Sequence, residues 1–361
     1  MTDERGRDPG GMAQAIAALP DQIESGWQAA LRDLRAAGWR GPAPAPGAAC
    51  AAAFAGGVAA CGMGGSAIGA DMVRAALPRL PVPFESVRGF SLPQWVGRGS
   101  ITIATSYSGE TAETLSCARE AAERGCAPVC ITSGGTLTSL ARAEGWPLVG
   151  VPAGLQPRAA LGSLLSAVAA VMQAAGLGAD LRTQVPEAVE LLRSAAAELG
   201  PGADPAAHRA RSIAERLVGR RVIVYGGGAL VPAARRWKTQ INENAKAPAC
   251  FAEAPELLHN EVCGWADAAD VASQTAVVVL VDPAGDDRLR HRLEAVADLV
   301  GCHAATVEVV EAIGHTPLTR CLWTAYLGDW TSYYLGLARG VDPTPVTAID
   351  ELKRLLRERE R

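Results

Sequence analysis

The chain has 361 residues, with 49% hydrophobic and 20% charged residues and a formal net charge of −4. That length allows two compact domains and a sizeable core, while the charge leaves no basic stripe and argues against nucleic-acid binding. Nine scattered cysteines without a Cys-x-x-Cys, and five histidines without ligand spacing, argue against a metal site and fit reduced thiols in a cytosolic protein.

The polar opening Met1-Thr2-Asp3-Glu4-Arg5 gives no signal peptide, and residues 1–11 read as a disordered tail. Ile23 to Ala37 has the apolar spacing of an amphipathic helix, and Gly41 to Pro46 reads as a linker. Short apolar runs then alternate with helical periods. Strands are expected at Val58–Cys61, Val82–Val87, Ile101–Thr105, Val129–Thr132 and Leu148–Val151, and helices at Ser66–Leu77, Thr114–Arg124 and Thr136–Ala143. Ala159 to Ala179 is uncharged but only weakly apolar, which predicts a buried helix rather than a membrane span, and hence a soluble protein. A Pro/Gly/Asp stretch, 200–205, marks a boundary, after which the pattern restarts. Strand Arg221–Tyr225 leads through Gly226-Gly227-Gly228 into helix Ala229–Asn242, then strand Thr275–Val281 and helix Asp287–Leu299. A long final helix or helix pair covers Pro317 to Arg361.

This alternation predicts an α/β fold of two similar doubly wound parallel-sheet domains in tandem, with a C-terminal helix. The segments are an N-terminal tail and helix (1–45), a first domain (46–199), a second (200–335) and a C-terminal helical segment (336–361).

Two loops carry the chemistry. Ser106-Tyr107-Ser108-Gly109-Glu110-Thr111 lies where a strand hands over to a helix N-terminus, so three hydroxyls meet exposed N–H groups and the positive end of the helix dipole. A helix cap with Glu110 or Glu113 in a capping box needs only one hydroxyl; three favour a cradle for a phosphate monoester. Gly62-Met63-Gly64-Gly65-Ser66-Ala67 satisfies G-x-G-x-x-A, followed by Glu85, which is formally a dinucleotide fingerprint. In a doubly wound sheet both loops open onto one crevice, and two such loops suit one compact phosphosugar better than a dinucleotide.

These two loops resemble those of sugar isomerase (SIS) domains. Gln156-Pro157-Arg158-Ala159-Ala160-Leu161-Gly162, Asn242-Glu243-Asn244-Ala245-Lys246, Glu256-Leu257-Leu258-His259-Asn260-Glu261 and Ala348-Ile349-Asp350-Glu351-Leu352-Lys353 resemble, in the same order, the bifunctional phosphoglucose/phosphomannose isomerase branch of the phosphoglucose isomerase superfamily. The resemblance implies aldose–ketose isomerisation between glucose or mannose 6-phosphate and fructose 6-phosphate through a cis-enediol. Such a reaction needs a carboxylate over two carbons, a cation near the oxyanion and a ring-opening group. The resemblance assigns these to Glu243 as base, to Arg158, and to His259 with Lys353. By spacing alone, the same residues read as a solvated helix-end carboxylate, a structural ion pair, a structural histidine and a solvated charge run. Gly65, Ser66, Ser106, Ser108 and Thr111, with Arg158, His259 and Lys353, would bind substrate without metal or other cofactor. The resemblance further implies a homodimer in which His259 reaches the neighbouring subunit's site. Glu110 departs from the family pattern, which commonly has Asn there, and suits a phosphate cradle only if it points outward. Rival readings are a non-catalytic sugar-phosphate sensor and an NAD(P)-dependent dehydrogenase. An amidotransferase is disfavoured because residue 2 is Thr rather than a nucleophilic Cys.

Overall fold

The computed structural model describes residues 5–42, 56–178, 180–204 and 208–359. Over its described part, residues 5–11, the expected disordered tail is structured, with a 3-10 turn at Arg5–Arg7. The Asp8 carboxylate accepts the N–H groups of Met12 and Ala13, each at 2.8 Å, and so satisfies two of the first donors of an unexpected helix, α1 (Met12–Ala17). The predicted amphipathic helix starts earlier than read, as α2 (Leu19–Ala36), and buries Ile23, Trp27, Ala30 and Leu34 along one stripe. Most of the expected linker, 43–46, lies outside the described residues, as do residues 1–4 of the tail.

The first sheet is entirely parallel. In chain order come β1 (Val58–Cys61), α3 (Gly65–Ala76), β2 (Phe84–Val87), β3 (Ile101–Thr105), α4 (Ala112–Glu123), β4 (Val129–Thr132), α5 (Gly135–Glu144) and β5 (Leu148–Gly150), with strand order β2-β1-β3-β4-β5. β1, β3 and β4 are buried on both faces, which is why they read as apolar runs rather than alternating ones. The uncharged stretch from Ala159 is shorter than expected as a helix: a 3-10 turn at Pro157–Ala160 precedes α6 (Leu161–Ala174). A further helix, α7 (Leu181–Leu199), was not predicted.

The second half repeats the plan with α8 (Arg209–Leu217), β6 (Arg221–Gly227), α9 (Val231–Asn244), β7 (Ala249–Ala254), α10 (Ala269–Ala272), β8 (Thr275–Val281), α11 (Asp287–Gly301) and β9 (Thr306–Glu311). This sheet is also parallel, in the order β7-β6-β8-β9. β7 and β9 were missed as partly exposed edge strands: Glu308 breaks the apolar pattern of β9, and β7 has only a short Ala/Cys/Phe run before Glu253.

The final segment is a helix pair, α12 (Pro317–Ala338) and α13 (Thr347–Arg359). α12 is buried continuously from Leu318 to Leu337 and packs against α3 of the first half and α8 and α9 of the second, as well as α7. A helix buried on every face sits inside a core, and this one joins the two sheets through a single cluster that includes Trp237, Tyr326 and Trp330. The Trp237 indole N–H donates to the Thr324 carbonyl at 2.8 Å, so its burial leaves no donor unpaired. Among the described residues no helix is long and apolar enough to cross a membrane.

Candidate active site

Topology places the first half's two loops side by side. β1 pairs with β3 from Val58↔Ile101 to Cys61↔Ala104, and the strand order reverses at this pair. The chain therefore leaves the two strands in opposite directions and opens a crevice at their C-terminal ends. The glycine turn after β1 and the serine loop after β3 are tied by the Tyr107 N–H, which donates to Ser66 Oγ at 3.2 Å.

Ser106 is fully buried and builds the serine loop. Its Oγ accepts the N–H groups of Gly109 (3.1 Å) and Thr111 (3.3 Å) and lies 2.8 Å from Thr111 Oγ1. Gly109 has φ +75°, and a Cβ there would stand 2.0 Å from the Gly134 carbonyl oxygen, so this turn closes only with glycine. Ser108 is exposed at the rim, and its Oγ accepts the Glu110 N–H at 3.2 Å. Thr111 takes the N-cap position of α4 without a side-chain cap bond, so a simple capping role does not account for the hydroxyls. Glu110 turns away from them. Its carboxylate accepts the Thr136 N–H (2.7 Å) and hydroxyl (2.8 Å) at the start of α5, where an acid is favoured by the helix dipole.

Facing the glycine turn is the end of α9. Gly64, Gly65, Arg158, Arg235, Lys238 and Glu243 are among the residues lining a cavity of ≈ 230 Å³. Arg158 sits in the 3-10 turn after Gln156 with its side chain 3% exposed, whereas the Glu243 side chain is 28% exposed where it lines the cavity. The Arg158 Nη1 lies 3.5 Å from Glu243 Oε2, a charge pair too long to be a strong hydrogen bond. The other guanidinium nitrogens are committed: Nε donates to Asn244 Oδ1 at 2.7 Å, and Nη2 to the carbonyls of Pro343 and Thr344 at 2.8 Å each. Burial draws the Arg158 pKa down, opposed by Glu243. Lys246, in the left-handed region at φ +52°, donates to the Glu243 and Pro343 carbonyls. Its ammonium is likewise drawn down, by burial first and then by Arg158. A partly exposed carboxylate thus stands beside a buried cation, opposite an N-terminal helix turn.

Gly65 makes this closeness possible. A Cβ on it would meet Pro157 O at 2.9 Å and Arg158 Cα at 3.1 Å. Gly65→Ala is therefore expected to push the Arg158 backbone off its seat and lower turnover, with little change in the far-UV spectrum. Unchanged turnover in that variant would separate the glycine from the chemistry.

The structure brings Gly65, Arg158 and Glu243 to one cavity and ties Ser66 to the loop of Ser106, Ser108 and Thr111. Ser66, Ser106, Ser108 and Thr111 do not themselves line that cavity, and the structure does not bring His259 or Lys353 there. His259 ends an exposed 3-10 turn (Glu256–His259), Lys353 is exposed on α13, and neither lines the cavity. Sequence reasoning missed Arg236 and Asp329, a bidentate pair at 2.7 and 2.8 Å in which the side chains are 4% and 3% exposed. Burial pushes the Asp329 carboxyl up while Arg236 pulls it down. The available signal was Asp329 itself, an acid alone in an apolar helical run. Arg236 Nη2 also donates to the Arg158 carbonyl at 3.0 Å.

A larger crevice of ≈ 980 Å³ opens at the matching reversal of the second sheet, between β6 and β8. Its loop carries Asp282 and Asp286 instead of serines, and Asp282 pairs with Arg320 at 2.7 Å. Four arginines and four carboxylates line that crevice, so its charges balance; the smaller cavity is the better candidate because Arg158 and Glu243 meet there beside the glycine turn. Among the described residues no group of three or more His, Cys, Asp or Glu side chains is placed to hold a metal ion.

Two parallel sheets of this kind, each reversing its strand order once, form a tandem SIS-type fold. The fold is shared with a solved glucose-6-phosphate isomerase like protein from Thermus thermophilus, at TM-score 0.63 and 20% identity over 96% of this chain and 97% of that one. Residues 206–356 match the family described as bacterial phospho-glucose isomerase C-terminal SIS domain. The bifunctional phosphoglucose/phosphomannose isomerase of Caldicellulosiruptor bescii is 35% identical over 82% of this chain and 88% of its own length. That of Aquifex aeolicus is 34% identical over 84% and 91%. The chain belongs to the bifunctional phosphoglucose/phosphomannose isomerase family.

Proposed function

We propose that this protein is a cytoplasmic aldose–ketose isomerase that interconverts glucose 6-phosphate and mannose 6-phosphate with fructose 6-phosphate. The observation that carries the reading is the meeting of Glu243 and Arg158 beside the glycine turn, next to a loop rich in hydroxyls. Ser106, Ser108 and Thr111, with Ser66 and the Gly65 amide, hold the phosphate end by neutral donors. Glu243 takes the proton from C2 of the opened aldose and returns it to C1, and Arg158 stabilises the negative charge that develops on the enediolate oxygen. The chemistry proceeds by side-chain acid and base groups alone. The two lobes, 46–199 and 200–335, serve as SIS-type domains, followed by the segment 336–361.

Ring opening falls to His259 and Lys353, whose exposure within one chain supports a site completed by a second copy. α13 presents Ile349, Leu352, Leu355 and Leu356 to solvent, an apolar stripe that suits burial in a homodimer. In that dimer His259 serves the neighbouring subunit. Mixing His259→Ala with Glu243→Gln protein under subunit exchange is then expected to restore activity, because one of the two sites in each mixed dimer keeps both residues. If both groups act within one chain, mixing restores nothing.

A coupled assay with each hexose phosphate tests the whole reading. Binding of sugar phosphate without turnover of any of the three would favour the sensor alternative.

A further inference from the structure

The guanidinium of Arg158 has five N–H groups, and the protein occupies three of them. Nε is held by Asn244 and the two on Nη2 by the Pro343 and Thr344 carbonyls, so the Nη1 pair is left toward Glu243. Asn244 has no exposed surface. Its Oδ1 accepts from Arg158, and its Nδ2 donates to Ser332 Oγ at 3.0 Å, which donates in turn to the Asp329 carbonyl at 2.7 Å. The chain of bonds runs from α12 through the residue after Glu243 to the cation.

We propose that Asn244 is a positioning residue: anchored on α12 through Ser332, it sets the rotation of the Arg158 guanidinium so that only Nη1 faces the reacting oxygen. This rests on the isomerase reading of Arg158 and Glu243. The side chain at 244 must be an amide for this purpose. It offers an acceptor to the cation and a donor to the hydroxyl at once, and it carries no charge that would compete with the developing oxyanion. The 3.5 Å gap between Nη1 and Glu243 matters equally, because an oxygen arriving at the site finds donors that are aimed but not already spent on the base.

The test compares kcat and KM for Asn244→Ala, Ser332→Ala, Arg158→Lys and the Arg158→Lys/Asn244→Ala pair, all assayed well below their melting temperatures. Asn244→Ala is expected to lower kcat about tenfold or more, short of the roughly 10²–10³-fold that follows outright loss of an oxyanion donor. KM should stay within about threefold, since the phosphate loop is untouched. Ser332→Ala should shift kcat in the same direction by less, and it carries the test if Asn244→Ala does not fold. In the Arg158→Lys background, loss of Asn244 should add nothing further, because the two residues act as one unit. A purely structural role would lower the melting temperature and leave kcat alone. If Arg158→Lys slows turnover while Asn244→Ala and Ser332→Ala do not, or if the Arg158→Lys and Asn244→Ala effects multiply in full, the positioning role is wrong and the isomerase reading stands. If wild-type protein turns over no hexose phosphate, or Arg158→Lys leaves kcat unchanged, that reading fails and takes the positioning role with it.

Discussion

Glu243→Gln is expected to lower kcat by about 10²–10⁴-fold, the usual contribution of a positioned general base, with sugar-phosphate affinity nearly intact. The amide matches the carboxylate in size but cannot accept a proton from carbon. Arg158 keeps its seat in the variant, because Asn244 and the Pro343 and Thr344 carbonyls hold it independently of Glu243. The phosphate loop is built by bonds of its own around Ser106 and does not depend on position 243. Steady-state kinetics with calorimetric binding of fructose 6-phosphate separates the two effects. Turnover that survives unchanged would remove Glu243 from the reaction, and lost binding would point instead to a substrate-holding role.

Asp329→Ala should destabilise the fold by about 3–5 kcal/mol, because it strands the Arg236 cation in the core. The pair is buried on both sides, with two bonds between the groups and side chains only 4% and 3% exposed. A matched comparison is Arg193 with Asp21 and Glu24, where the side chains are about half exposed or more. Asp21→Ala should move the unfolding midpoint far less, because water screens that exposed pair. Urea unfolding of both variants checks the contrast; equal midpoints would mean that water reaches Arg236 after all. Replacing Arg236 and Asp329 together by Met and Leu should recover most of the stability, as apolar pairs of similar volume do. Turnover should stay low in that double variant, since Arg236 also holds the Arg158 carbonyl.

Much of the site was legible because it is local. The serine loop and the glycine turn each lie within a few residues, and the parallel sheet could be read from β1, β3, β4 and β8, whose doubly buried strands carry no polar face. β7 and β9 escaped because an edge strand needs less apolar sequence, and α7 and α8 because no motif drew attention to them. The Arg236–Asp329 pair spans 93 residues of chain, and no spacing rule connects its members. Glu110 shows the same limit on a smaller scale: its partner, Thr136, lies on the next helix of the sheet. For His259 and Lys353 the resemblance alone supplied a role, and within one chain both stand apart from the cavity.

The placement of α12 has a bearing on biosynthesis. This helix leaves the ribosome after both sheets, yet α3 and α7 of the leading lobe rest against it. Until it arrives, the nascent first lobe shows an unfinished greasy flank, which invites chaperone capture or premature self-association. The duplicated look of the two lobes therefore hides a shared keystone, made after both sheets, that the first lobe does not supply for itself.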